Sequence, residues 1–474
     1  RYLFAYLIII GFVAYFLGWQ LGHIGPGLSG QELNTAARHL NLSDIIHQPI
    51  YPLQAVLQWI SIKVFGVSIV ALRLPSVLIA ILVAVCLYNL LKKWFGKQTA
   101  LLSTAIFISA DWFLFTARQG TGSIEFSLWL VLALLCFTKL LEHKTQWLAL
   151  FSLTLVGLLF TPLGPYAAIT FFASLFSCRI FRERAVEAKP LVKIGAISVL
   201  VLGLAASIYT SVINIEFIKN IFNVSQMPGI GQFFKNIIYN TAGVVAILPD
   251  ANPAISPTGV FFVRFFELIF ILFGVIMLWR TRVNRLNLTV LILSVVLVVA
   301  SGLSSGSRGG SIVLIPAAIF MTAGIRHLMH RWKRTFPKNP YARVAAFLPL
   351  GVLFMFIVAL HYVSYFELWP SQTATHYAFS QDLPLLQKEL NRSRYSNKRC
   401  YVQTPDNTIQ KLIRDSKTRC TPYFEQSATT PTDTLVLSPD VSKSSYPNRT
   451  FQPLVSETKE GYIRWIVAHS PLPQ

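Results

Sequence analysis

Residues Gly27 to Ser76 read GLSGQELNTAARHLNLSDIIHQPIYPLQAVLQWISIKVFGVSIVALRLPS, between two strongly apolar runs. The first half is polar and carries Gln31, Glu32, Arg38, His39, Asp44 and His47. From Leu53 onward apolar residues return every three or four positions, at Leu53, Val56, Leu57, Ile60 and Val64. That spacing predicts an amphipathic helix lying on a surface. A polar loop and an interfacial helix directly after a first hydrophobic run describe either a reaction site at a membrane face or a connector that hugs the headgroups. Periodicity alone leaves both open.

The rest of the chain places that stretch in a membrane. Of 474 residues, 54% are hydrophobic and only 13% charged, about half the charged fraction of a soluble domain. Apolar runs of about 17–22 residues recur, long enough as helices to cross a hydrocarbon core of about 30 Å. About eleven spans are expected, over 3–21, 73–91, 98–116, 123–142, 146–162, 164–178, 192–213, 259–279, 286–302, 311–328 and 344–363. The opening run reads as a retained anchor, without a small-residue cleavage site. Thr161-Pro162-Leu163-Gly164-Pro165 either divides two spans or kinks one.

The net charge of +21 is orientation information rather than a nucleic-acid footprint. Lys92, Lys93 and Lys97, then Arg179, Arg182 and Arg184, then Arg331, Lys333 and Arg334 fall in connections on one side. By the positive-inside rule the N-terminus is cytoplasmic, and the C-terminal segment faces away from the cytoplasm across a cytoplasmic membrane. The expected organisation is a transmembrane module over 1–363, with outer loops 22–72 and 214–258, and an α/β domain over 364–474 outside. In that tail Cys400-Tyr-Val-Gln, Thr434-Leu-Val-Leu and Tyr462-Ile-Arg-Trp-Ile-Val read as strands, and Thr408 to Ser416 as a helix. Cys400 and Cys420 lie in it, and an oxidising compartment would favour a disulfide between them.

The first loop, the interfacial helix and the phrase Phe65-Gly66-Val67-Ser68 to Ala71-Leu72-Arg73-Leu74-Pro75-Ser76 together resemble the GT-C glycosyltransferases, in particular the protein O-mannosyltransferases and the lipid A aminoarabinose transferase. Ala117-Arg118, Phe160-Thr161-Pro162-Leu163-Gly164-Pro165 and Arg308 with Pro316 are similar to further family motifs. The resemblance implies a GT-C-like helical bundle with interfacial helices in its outer loops. It implies transfer of a sugar from a polyprenyl-phosphate-linked donor to a lipid, glycan or protein acceptor. Two departures stand out: Gln31-Glu32 replaces the family's Asp-Glu pair, and Ser123 stands where the second loop has an aspartate. A non-catalytic relative that binds lipid-linked sugar, or scaffolds partners, is therefore the competing expectation.

Such chemistry needs a carboxylate to take the proton of the attacking hydroxyl, and cations to hold the leaving phosphate. Glu32 is the expected base; its alternative is a carboxylate that merely complements a helix N-terminus. Arg118 and Arg308 are the expected phosphate ligands, because both are isolated cations on the cation-poor side. Gln31, His47, Asp111, Ser123 and Glu125 are the further candidates for substrate contact. Glu32 with His39 and His47 offers ligands for a divalent metal, though at no spacing that specifies one. Membrane lipids are the other expected partners. Neither a nucleotide loop nor a nucleic-acid partner is expected.

Overall fold

The computed structural model describes residues 11–22, 27–177, 183, 186–224, 227–245, 265–282, 284–304, 311–335, 341, 345, 347–372, 375, 379–380, 400–403, 408, 410–412, 420–422, 434–437, 450–455 and 463–469. Each of the eleven expected spans overlaps helix among these residues, the first over 11–18 and the third over two helices. A helix over 11–18 comes first. After the first loop follow α4 (Ile69–Phe95), α5 (Lys97–Ser109) with α6 (Asp111–Ala117), α7 (Ile124–Leu141), α8 (Leu148–Leu159), α9 (Gly164–Ser177) and α10 (Pro190–Ile213). The last four are α13 (Phe265–Arg280), α14 (Arg285–Ser301), α15 (Leu314–Thr335) and α16 (Phe347–Tyr362). By length and apolar composition four of the described helices can cross a bilayer unaided, and a fifth can if α5 and α6 count as one span.

The span expected over 98–116 is broken: α5 and α6 meet at a 65° bend around Ala110. The run expected to divide or kink near Pro162 divides, with Leu163 at a φ of 63° between α8 and α9. The interior is built of apolar side chains, among them Phe107, Phe113, Phe126, Phe137, Phe151 and Phe171, from the central helices.

The first loop folds as β1 (Leu28–Ser29), α1 (Gly30–Arg38), α2 (Leu42–His47) and α3 (Pro52–Phe65). In the second loop lie α11 (Ile215–Phe222) and α12 (Ile230–Val245). Phe217 and Ile221 of α11 pack under the first loop, with Ile50, Tyr51 and Phe160. Asn236 and Asn240 of α12 donate to the carbonyls of Ser301, Gly302 and Ser304 at the C-terminal end of α14, groups that the helix itself leaves unsatisfied.

Beyond α16 the chain turns back, and β2 (Phe379–Ser380) pairs antiparallel with β1 of the first loop. A five-stranded mixed sheet then follows in the order β4-β3-β5-β7-β6. Its strands are β3 (Cys400–Gln403), β4 (Cys420–Pro422), β5 (Thr434–Leu437), β6 (Thr450–Val455) and β7 (Ile463–His469). Three of them are the strands expected from sequence. Cys400 and Cys420 are register partners in the parallel pair β3–β4.

Candidate functional site

The loop-face ends of three segments converge on Glu32. Ser29 caps α1, and the pair forms a full capping box: Glu32 N–H donates to Ser29 Oγ at 3.2 Å, and Ser29 N–H donates to Glu32 Oε2 at 2.9 Å. The same carboxylate takes the fork of Arg73, from Nε to Oε1 at 2.8 Å and from Nη2 to Oε2 at 3.1 Å. Gly120 N–H of the second loop adds a fourth donor at 2.9 Å. All four acceptor sites of the carboxylate are therefore filled, and Glu32 is fully buried. Burial alone opposes its ionisation, but the Arg73 charge and these donors outweigh it, so its pKa lies below the usual carboxylate range. In this conformation Glu32 holds the loops together and has no site left for an acceptor's proton.

The helix α3 docks beside this pair with its polar side turned inward. Val56, Ile60, Val64 and Phe65 are exposed, as a lipid-facing stripe would be. Gln54, Gln58 and Ser61, at a spacing of four and three, are buried against the start of α4. Pro75 explains what they find there. Proline has no N–H to give the carbonyl four residues back, and its ring crowds the turn. The Ala71 carbonyl accepts from Ser61 Oγ at 2.7 Å, and the Leu72 carbonyl from Gln58 Nε2 at 2.8 Å. Gln54 Nε2 donates to Ser76 Oγ at 2.9 Å. The phrase Ala71–Ser76 is thus a docking strip for α3, with Arg73 on its other side.

His39, at the end of α1, places Nδ1 2.5 Å from Gln58 Oε1. Its burial, with the nearby Arg38 charge, lowers its pKa to about 4 against the help of Gln58. Glu125 caps α3 from a distance, accepting from Leu53 N–H, Gln54 N–H and Trp129 Nε1 at 3.2, 2.8 and 2.9 Å. Gly120 packs so tightly that a Cβ there would sit 2.8 Å from the Leu72 carbonyl oxygen.

Arg118 differs from Arg73. It is only 2% exposed, and among the described residues it has no carboxylate partner. Nη1 donates to the Phe16 carbonyl at 2.7 Å and Nη2 to that of Trp19, both at the end of the 11–18 helix. The rings of Tyr365 and Phe366 lie over the guanidinium, with centroids 5.4 and 5.1 Å away. Partial charges and ring faces surround a full positive charge.

The other expected residues scatter. Gln31 is exposed on α1. Ser123 is buried and shares a hydrogen bond with Thr121 Oγ1 at 2.9 Å. Asp111 lies inside the bundle, away from the Glu32 cluster, at the bend between α5 and α6. Arg308 lies outside the described residues. His47 bonds the Ser43 carbonyl through Nδ1 at 2.7 Å. It lines a polar cleft of about 420 Å³ with Asn34, Arg38, Asp44, Asn214 and Lys411. That cleft is on the face of α1 opposite Glu32. Glu32, His39 and His47 are therefore not gathered as metal ligands, and no three His, Cys, Asp or Glu side chains among the described residues form such a site. The sequence reading missed the Glu32–Arg73 pair and the inward stripe of α3. The latter was signalled by Gln54, Gln58 and Ser61 repeating at helical spacing opposite the apolar stripe.

The fold is similar to those of several solved structures. The structure is similar to ArnT from Cupriavidus metallidurans in the apo state, with a TM-score of 0.56 and 15% identity over 98% of both chains. It is similar also to that protein bound to undecaprenyl phosphate, with a TM-score of 0.54 and 14% identity over 97% of this chain and 98% of the other. The oligosaccharyltransferase of Archaeoglobus fulgidus matches 88% of this chain and 63% of its own, at 13% identity and a TM-score of 0.50. The family model for dolichyl-phosphate-mannose-protein mannosyltransferases matches residues 47–209, which hold α3, the docking strip, Arg118 and Glu125. No curated protein sequence matches.

Proposed function

We propose that the chain is a membrane glycosyltransferase that takes a sugar from a polyprenyl-phosphate-linked donor and passes it to an acceptor on the extracytoplasmic face. The observation that carries this reading is Arg118, a buried guanidinium with no carboxylate partner among the described residues. An ion held away from water costs several kcal/mol unless it is paired. An anionic phosphate arriving at the loop end of the bundle would supply the missing charge and accept the unused N–H groups. The undecaprenyl phosphate bound by the similar ArnT supports a lipid phosphate as that anion. Arg308 is proposed as the second cation. The loop face and tail are proposed to lie outside the cell membrane. Labelling of cysteines introduced at Lys333 and Lys411 from opposite sides tests that orientation, and equal accessibility from one side would overturn it.

The test of function is binding and transfer by the purified chain in nanodiscs. Arg118→Ala is expected to weaken undecaprenyl phosphate binding, and unchanged affinity would reduce Arg118 to a structural cation. A second reading, a relative that binds lipid-linked sugar without transferring it, is favoured by one observation. Glu32, the expected base, is saturated with donors, and Glu125 caps a helix. Binding without transfer from any polyprenyl-phosphate sugar would select that reading.

A further inference from the structure

Deep in the bundle an imidazole stands between two acids. His361, near the end of α16, has Nδ1 3.4 Å from Asp111 Oδ1 and Nε2 3.1 Å from Glu267 Oε1. The second contact is within ion-pair range without the alignment of a hydrogen bond. Asp111 N–H also donates to His361 Nδ1 at 3.3 Å. Asp111 and His361 are fully buried and Glu267 is 1% exposed, although they come from α6, α16 and α13. Around them, Trp112 N–H donates to Asp111 Oδ1 at 2.7 Å and Trp112 Nε1 to Glu267 Oε2 at 3.0 Å. Ser364 Oγ donates to Asp111 Oδ2 at 2.9 Å. Ionisable groups in a membrane interior are costly and are kept where they do something.

Two arms leave this cluster and meet again at one guanidinium. Asp111 opens α6, the half-helix that follows the 65° bend and ends at Arg118. Just after His361 the chain enters a π-helical turn, Val363–Leu368, a geometry rare in proteins and found mostly at functional sites. Within that turn Ser364 is bound to Asp111, and the next two residues, Tyr365 and Phe366, cover Arg118. Phe115 of α6 packs edge-on against Tyr365, with centroids 5.1 Å apart, which ties the arms together once more.

We propose that Asp111, Glu267 and His361 are positioning residues that, through α6 and the π-helical turn, hold the Arg118 guanidinium and its two aromatic covers in the geometry that receives an anion. None of the three touches Arg118; they act through Ser364, Tyr365 and Phe366. The proposal rests on the reading of Arg118 as the phosphate site.

The experiment is a set of double-mutant cycles read by undecaprenyl phosphate binding in nanodiscs, with thermal unfolding measured beside it. Ser364→Ala removes one hydrogen bond from Asp111 without adding volume. Tyr365→Leu removes a ring, and Tyr365→Phe keeps it. Glu267→Gln keeps the shape of the acid without its charge. Ser364→Ala, Tyr365→Leu and Glu267→Gln are each expected to weaken binding about threefold to tenfold, and Tyr365→Phe to retain it. In an Arg118→Ala background those losses should vanish, because there is no guanidinium left to position. If Glu267→Gln does not fold, Ser364→Ala and the two Tyr365 variants carry the test. Losses that persist in full without Arg118 would make the cluster a packing feature and overturn the proposal. So would full binding in Ser364→Ala and Tyr365→Leu while Arg118→Ala fails to bind; in both cases Arg118 keeps its role. Normal binding by Arg118→Ala itself would remove the phosphate reading and this proposal together.

Discussion

Arg73 and Arg118 are both buried arginines at the loop end of the bundle, yet they are handled in opposite ways. Arg73 has a bidentate carboxylate in Glu32, and two further N–H groups reach the carbonyls of Leu21 and Gly27. Arg118 has two carbonyls and two ring faces. A closed pair holds structure, and its members are missed when removed. An unclosed one leaves charge available, which is how a protein keeps an anion site ready at the expense of its own stability.

The comparison breaks most visibly at Glu32. Glu32→Gln strands the Arg73 guanidinium, and the expected loss is about 3–5 kcal/mol of stability, read from unfolding in detergent. A variant with unchanged stability and transfer slowed about 10²–10⁴-fold would instead return Glu32 to the role of base.

Acid should loosen the same joint. His39 takes up protons in the folded protein only near pH 4, whereas a free histidine does so near 6.5. Between those values the unfolded chain binds more protons, so stability is whole above about pH 6.5 and falls as pH is lowered. The loss approaches about 3 kcal/mol by pH 4. In a His39→Gln variant this part of the pH dependence should disappear; a curve identical to the parent's would rule His39 out as its source.

Arg118 should behave in the opposite sense. Arg118→Met, which keeps the aliphatic stem, is expected to leave unfolding in the absence of ligand unchanged or slightly raised. Undecaprenyl phosphate binding should weaken by about 1.5–3 kcal/mol. A loss of stability as large as that of Glu32→Gln would erase the distinction between the two arginines. Gly120→Ala sharpens the comparison from the side, since the new methyl group would press on the Leu72 carbonyl and push the Gly120 N–H off Glu32. Its expected cost is about 1–3 kcal/mol, with binding at Arg118 reduced less than stability.

The helices were legible because apolar length and periodicity are local properties. So was the apolar stripe of α3, where Val56, Ile60 and Val64 repeat at helical spacing and are exposed. The strands β4 and β6 escaped notice, being short or broken by Pro453, and so did the bend at Ala110, which no proline or glycine announces. Arg118 stood out as an isolated cation at a span's end. What Glu32 does was not legible, since its partners Arg73 and Gly120 come from two other segments. His361 and Glu267 did leave a signal, as ionisable residues inside expected spans, but their meeting with Asp111 depends on the packing of three helices distant in sequence.

The pairing of β1 with β2 has a consequence for how the molecule is made. One strand is made just after the 11–18 helix, and the other only after α16 and the π-helical turn. At ordinary synthesis rates the interval is on the order of tens of seconds. Throughout that time β1 exposes an unpaired backbone edge while helix after helix inserts beside it. The Glu32–Arg73 pair can form early, since both partners are made before α4 is complete. The strand closure follows the described helices of the bundle, so a chain that stalls before Phe379 carries those helices without the pairing that ties β1 to the segment beyond them.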